Sequence, residues 1–266
     1  LKIGIIGYGA MSQSLCQLLA VHAPSVQVVK VLVRPESTTA SLQLPEGATF
    51  AFSSDELLAA PLDLVVECAG HLALKNIGAA VLASGTDLLI ASVGALANAS
   101  VEELLLLAAK NSGAKLRIPS GALGGLDVLG AAKLAGIDSV VYSSRKHPSA
   151  WKGTPAEKIL DLDAMKEAVT FFTGDARTAA LDFPQNANVA AAVAMSGIGF
   201  EKTQVELTAD PSASGNTHVI HALGKFGEIS VTIKGKTLAN NPKTSMLAPL
   251  SLVRCLRNIN ESIVIG

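Results

Sequence analysis

The chain has 266 residues, 49% of them hydrophobic and 16% charged, with a formal net charge of −1. That is enough apolar material for one large domain or two modest ones, and the charge balance gives no electrostatic case for nucleic acid or an anionic membrane surface. Mean hydropathy is positive, +0.42, yet no apolar run approaches the roughly 18 to 20 residues of a membrane-spanning helix.

The first segment, "LKIGIIGYG", opens directly into a strand and a turn, which predicts no leader segment. "AMSQSLCQLLAVHA" has helical apolar spacing, "VQVVKVLV" is a second strand, and a Pro/Ser/Thr-rich loop follows. "DELLAA" reads as a short helix, "LDLVVECA" as a strand, and "HLALKNIGAAVLASG" as a helix ending at Gly85. "DLLIAS", "VEELLLLAAKNSG" with Gly113 as its C-cap, and "KLRIPS" close the series. Continuous Val/Ile/Leu strands alternating with helices predict a Rossmann-type α/β domain, a doubly wound parallel sheet covered on both faces, over residues 1–122.

Beyond residue 122 the pattern changes. "GGLDVLGAAKLAG" is helical, and "ANVAAAVAMSGIGF", interrupted by Asn188 and Ser196, reads as a buried helix. "DSVVYSSRKHP", "TGDARTAALDFPQ", "KTQVELTADP" and "THVIHALGKFGEISVTIKG" read as longer strands separated by turns. Residues 123–243 therefore predict an α+β substrate domain with a mixed or antiparallel sheet. A final amphipathic helix over 244–262, apolar at Met246, Leu247, Leu250, Val253 and Leu256, is expected to pack back on the first domain. Cys16, Cys68 and Cys255 are widely spaced in apolar surroundings and read as free thiols of a reducing compartment, the cytoplasm by default, with no disulfide framework and no metal site.

Gly7-x-Gly9 stands between the first strand and the first helix, the context that a dinucleotide fingerprint requires. Gly7 permits the tight turn and Gly9 a close approach of pyrophosphate. Ala10 and Met11 open the helix whose amides and positive dipole end complete the site. The third glycine position is Ser12. Where NAD sites place an acidic residue after the second strand, this chain has Arg34, whose guanidinium suits the 2′-phosphate of NADP. The expected cofactor is NAD or NADP.

Three further stretches carry candidate chemistry. "SSRKHPSAWKG" reads as a basic loop, a candidate flap carrying Arg145 and Lys146 over a substrate. "NTHVIHALG" holds His218 and His221 at an odd offset, which sends them to opposite faces of a strand, so only one can face a given cleft. "NNPKTS" reads as a helix start at which Lys243, Thr244 and Ser245 suit a carboxylate.

"IPSGALGGLDVL", "LDFPQNANVAAAVAMSGIGF", "NTHVIHALGKFG" and "NNPKTSMLAPLSL" together resemble the L-aspartate dehydrogenase family, over nearly the whole chain. The resemblance implies NAD(P)-dependent oxidative deamination of L-aspartate through iminoaspartate to oxaloacetate and ammonia, with iminoaspartate in some members feeding NAD biosynthesis. It implies that the histidine of the Asn-x-His motif, His218, is the general acid/base, and that Ala122 and Asn188 contact the cofactor. A His with a pKa near the working pH would suit that role. A homodimer is expected, since exposed antiparallel strands favour symmetric association. The competing readings are a related two-domain enzyme, such as a homoserine dehydrogenase or cyclic imine reductase, and a nucleotide-binding sensor, for which a poised base has no use.

Overall fold

A computed structural model describes the chain except residues 38, 40, 41, 185–187, 239, 240, 265 and 266 and the side chains of 241–243. It divides into two compact units. Unit 1 comprises Leu1–Ala95, Ala99–Pro119 and Pro249–Gly266; unit 2 comprises Leu96–Asn98 and Ser120–Ala248.

In unit 1 the elements run β1 (Lys2–Ile6), α1 (Ala10–His22), β2 (Gln27–Leu32), β3 (Thr49–Ala51), α2 (Ser54–Leu58), β4 (Leu64–Glu67), α3 (His71–Ala83), β5 (Asp87–Ile90), α4 (Ala99–Ser112) and β6 (Leu116–Arg117). The sheet order is β3-β2-β1-β4-β5-β6 with every pair parallel. Ile3, Ile5, Val31, Leu64, Val66 and Leu89 are buried because helices on the two faces leave the central strands no wet side. The chain reverses its winding direction between β1 and β4, the place where doubly wound sheets bind nucleotides. The edge strand β3 lies inside what the sequence presents as loop; it is three residues long and pairs through Val31↔Phe50.

Unit 2 continues with α5 (Leu126–Ala135), β7 (Ile137–Lys146), β8 (Val169–Asp175), α6 (Ala176–Asp182), α7 (Asn188–Ser196), β9 (Thr203–Ala209), β10 (Asn216–Gly224), β11 (Gly227–Gly235), β12 (Thr237–Leu238) and β13 (Asn241–Ser245). Its main sheet has the order β11-β10-β7-β9-β8 and is mixed, β7 and β9 being the parallel pair. One face is buried, and the strand period puts Asn216, His218, Ile220 and Ala222 there beside Val140, Tyr142, Ser144 and Lys146. α5, α6 and α7 pack on this sheet. α7 is an alanine-rich helix buried from Ala190 to Ala194, as its apolar circumference requires.

Three expectations are corrected. "TGDARTAALDFPQ" is not one strand: β8 stops at Asp175, whose carboxylate accepts from the Thr178 amide and caps α6. "SSRKHPSAWKG" is not a flap at its basic end. Arg145 and Lys146 are strand residues, and the following turn is anchored by fully buried Trp151 against Phe171 and Phe183. "NNPKTS" is not a helix start, because 241–245 form β13, paired with β12 through Thr237↔Ser245 and Leu238↔Asn241. The last helix, α8, begins at Leu247 and runs to Asn260. Its Leu252, Val253 and Leu256 join the core of unit 1. Among the described residues no helix is long and apolar enough to cross a membrane.

Candidate active site

Unit 1 carries the nucleotide end. Gly7 adopts φ +85°, and a Cβ there would lie 2.9 Å from the Ala69 backbone, so only glycine fits this turn. A Cβ at Gly9 would meet nothing within 4 Å, which leaves open space before the amides of α1, where Ala10 and Met11 stand. Ser12 is fully buried and its hydroxyl donates to the Gly9 carbonyl at 3.2 Å, bracing the turn from inside the helix. Gly7, Tyr8, Gly9 and Arg34 line an open cavity of about 700 Å³ beside the β1 and β4 ends. Arg34 is largely exposed and only loosely paired with Glu36 at 3.5 Å. The residues therefore fit a dinucleotide, with a glycine cradle, helix amides for pyrophosphate and a guanidinium at the rim.

At the end of β4 stands Glu67, which the sequence reading does not single out. It is fully buried, yet its carboxylate accepts from the amides of Ala69 (2.6 Å), Gly70 (2.7 Å) and Ser92 (3.0 Å) and from the Ser92 hydroxyl (3.0 Å). Burial pushes its pKa up and the four donors draw it back. These four contacts tie the loop after β4 to the loop after β5. A carboxylate at the end of "LVVE", a strand otherwise wholly apolar, is the signal that could have found it.

Unit 2 carries the two histidines of β10. His218 and His221 do take opposite faces: His218 is 2% exposed, whereas His221 pairs at the surface with Glu228 at 2.8 Å. The Nδ1 of His218 lies 2.8 Å from the Tyr142 hydroxyl, and its Nε2 is buried without a hydrogen-bond partner. His218 stands opposite Ser144 in the β10–β7 register, and the Ser144 hydroxyl is likewise buried and unbonded. Two residues further along β7, Lys146 is 3% exposed, with its ammonium 5.2 Å from the centre of the Trp151 ring. Burial pulls the Lys146 pKa down to about 8. Burial, and secondarily the Lys146 charge, push His218 from 6.5 down to about 3. The expectation of a histidine poised near neutrality is thus corrected: burial keeps the His218 ring neutral at neutral pH.

The other expected residues fall into place unevenly. Ala122 is buried in the turn before α5, and Asn188 is the first residue of α7. Ser245, 4% exposed, accepts from the Leu247 amide at 3.2 Å, so it caps α8 from the end of β13 instead of opening a helix itself. Its hydroxyl also lies 3.1 Å from where a Cβ on Gly235 would stand, and Gly235 pairs with Asn216. This brings Ser245 to the sheet end that carries the Asn-x-His motif. Thr244 is half-buried on β13, and the Lys243 side chain lies outside the described residues. Tyr142, Ser144 and Lys146 are residues that sequence reasoning misses or misplaces. Their period-two spacing after Val140 puts three polar groups on a buried face, a pattern readable from "VVYSSRK".

Comparison with known proteins agrees along the whole chain. Residues 127–259 match the family model described as aspartate dehydrogenase, C-terminal, and residues 7–119 match that of the homoserine dehydrogenase NAD binding domain. The L-aspartate dehydrogenase of Polaromonas sp. (strain JS666) is 44% identical over 269 residues, covering 100% of both chains. That of Pseudomonas aeruginosa is 42% identical over 271 residues, again covering 100% of both. A crystal structure of aspartate dehydrogenase from Thermotoga maritima matches with a TM-score of 0.78 at 28% identity, covering 100% of this chain and 99% of that one.

Proposed function

The chain belongs to the L-aspartate dehydrogenase family and is an oxidoreductase that oxidises L-aspartate with a nicotinamide cofactor; from that premise we propose how its own residues share the reaction. When bound at the Gly7–Gly9 turn and the α1 amides, a nicotinamide cofactor would supply the hydride acceptor for the aspartate Cα, and hydrolysis of the resulting iminoaspartate would give oxaloacetate and ammonia. His218 accepts the proton that the substrate ammonium must lose before hydride can leave, and later a proton from the attacking water. Its unpartnered Nε2 is the observation that carries this reading: a buried ring nitrogen with no partner of its own is available to a substrate.

The low resting pKa of His218 suits an acceptor that must be neutral when substrate arrives. A dicarboxylate brings two negative charges beside Lys146 and His218, which offsets the ammonium and raises the histidine pKa. The base therefore strengthens when aspartate is bound. Lys146 and Ser144 are assigned to one carboxylate, and Lys243, Thr244 and Ser245 on or beside β13 to the other. Arg34, exposed at the cavity rim, is assigned to the 2′-phosphate of NADP, so both nicotinamide cofactors are accepted. Ala122, in the turn before α5, and Asn188, at the start of α7, are assigned to the carboxamide end of the cofactor.

The test is turnover with L-aspartate and either cofactor, followed through reduced nicotinamide, with homoserine as the control substrate. His218→Ala should keep cofactor binding and lose at least about 10²-fold in turnover. Near-normal turnover in that variant would return His218 to a structural role.

A further inference from the structure

Two arrangements are compatible with a 2.8 Å contact between the Tyr142 hydroxyl and His218 Nδ1. If the phenol donates, the imidazole carries its proton on Nε2, and the nitrogen that faces the substrate is a donor with no lone pair to offer. If Nδ1–H donates, the phenol oxygen accepts and the Nε2 lone pair is free. A base acting through Nε2 requires the second arrangement. The phenol hydrogen then turns away from the imidazole, and the hydroxyl oxygen presents a lone pair to Nδ1–H.

We propose that Tyr142 is a positioning residue for the reaction: its oxygen accepts the Nδ1–H of His218 and so holds the ring in the tautomer whose Nε2 receives protons from the substrate. This rests on the assignment of His218 as the base and adds the group that aims it. The geometry favours a fixed role. Tyr142 and His218 lie on neighbouring antiparallel strands, with Tyr142 opposite Ile220 and Ser144 opposite His218, so the pair spans one diagonal of the sheet's buried face. The two rings are nearly parallel, 11° apart, and Tyr142 is fully buried. Neither ring can turn without disturbing the packed face.

A phenol differs from a carboxylate in this position. Burial pushes the Tyr142 pKa up, so the group stays neutral and fixes the tautomer without stabilising an imidazolium. A proton taken at Nε2 is therefore not trapped by a buried counter-charge. That suits a base which must release its first proton before accepting the second.

The experiment reads the tautomer directly. In uniformly ¹⁵N-labelled protein, with His218→Ala used to assign the ring, the wild type should show a protonated Nδ1 and an unprotonated Nε2. Tyr142→Phe fills the same space, so cofactor affinity and the KM for aspartate should be retained. Its His218 should shift towards the Nε2–H form, because a buried Nδ1–H would be left without an acceptor, and kcat should fall at least about 10-fold. A wild-type ring protonated on Nε2 would overturn the proposal without recourse to any variant. So would Tyr142→Phe with unchanged tautomer and kcat while His218→Ala is inactive. Full activity in His218→Ala would instead sink the base assignment itself, and the two failures are thereby told apart.

Discussion

His218 stays neutral through the ordinary pH range because burial and the Lys146 charge hold its pKa near 3, against 6.5 for the free side chain. The linkage to stability has a definite sign. Between pH 6.5 and about 3 the unfolded chain binds a proton at this position and the folded chain does not, so folding stability is lost as pH falls through that window. The full shift corresponds to at most on the order of 5 kcal/mol. His218→Asn removes the titration while leaving an amide to meet Tyr142. The slope of Tm against pH between 6.5 and 3 should therefore be shallower in the variant than in the wild type. Parallel slopes would mean that the histidine takes up its proton in the folded state and is less confined than its burial implies. Lys146 acts in a separate window: its lowered pKa makes stability rise with pH from about 8 to the usual lysine value of 10.5.

The turn between β1 and α1 tests how elements meet. At Gly7 an added methyl would sit 2.7 Å from the Ala69 Cβ and 2.9 Å from its Cα, at a backbone φ of +85°. Neither the left-handed conformation nor the approach of the loop after β4 allows a side chain, and strain of this kind costs about 1–3 kcal/mol. Gly7→Ala should lower Tm and weaken nicotinamide nucleotide binding together, measured by calorimetric titration; unchanged affinity would mean that the turn shifts without moving the α1 amides. This element is legible in the sequence because a glycine between an apolar strand and a helix is local chemistry. So is the alternation of unit 1, whose strands are continuous apolar runs. β13 is not legible in the same way. Pro242 and Ser245 look like cap residues, and only pairing with Thr237 and Leu238 decides for a strand. The site divides along the same line. His218 is reached through strand parity and the Asn-x-His motif, but Tyr142 and Lys146 come to the same buried face as His218 only when β7 is laid against β10. Glu67 is hidden for a related reason: its four partners come from two loops that the sheet brings together.

At the scale of the molecule, unit 1 is built from both ends of the sequence, with unit 2 inserted before its last helix. Leu252, Val253 and Leu256 of α8 are at most 3% exposed and lie in the same cluster as Ile3, Leu15, Val31 and Leu89. Three such side chains withdrawn from water contribute roughly 5–9 kcal/mol, comparable to the whole stability of an ordinary domain, about 5–15 kcal/mol. α8 is therefore a structural member of the nucleotide-binding unit, although it follows the substrate unit in the chain. A chain ending at Ala248 should fail to bind the nicotinamide nucleotide and should lose more helical circular dichroism than the deleted residues account for. Unit 2 offers its own reporter, because the only tryptophan of the chain, Trp151, is fully buried in it. Its emission should keep the wavelength of a buried indole in the truncated chain, since the ring packs on Phe171 and Phe183, which the deletion leaves in place. Retained nucleotide affinity would show that the β1–β6 sheet closes its core without α8. A red-shifted Trp151 would show instead that unit 2 depends on unit 1 for its folding, so that the two compact units unfold as one.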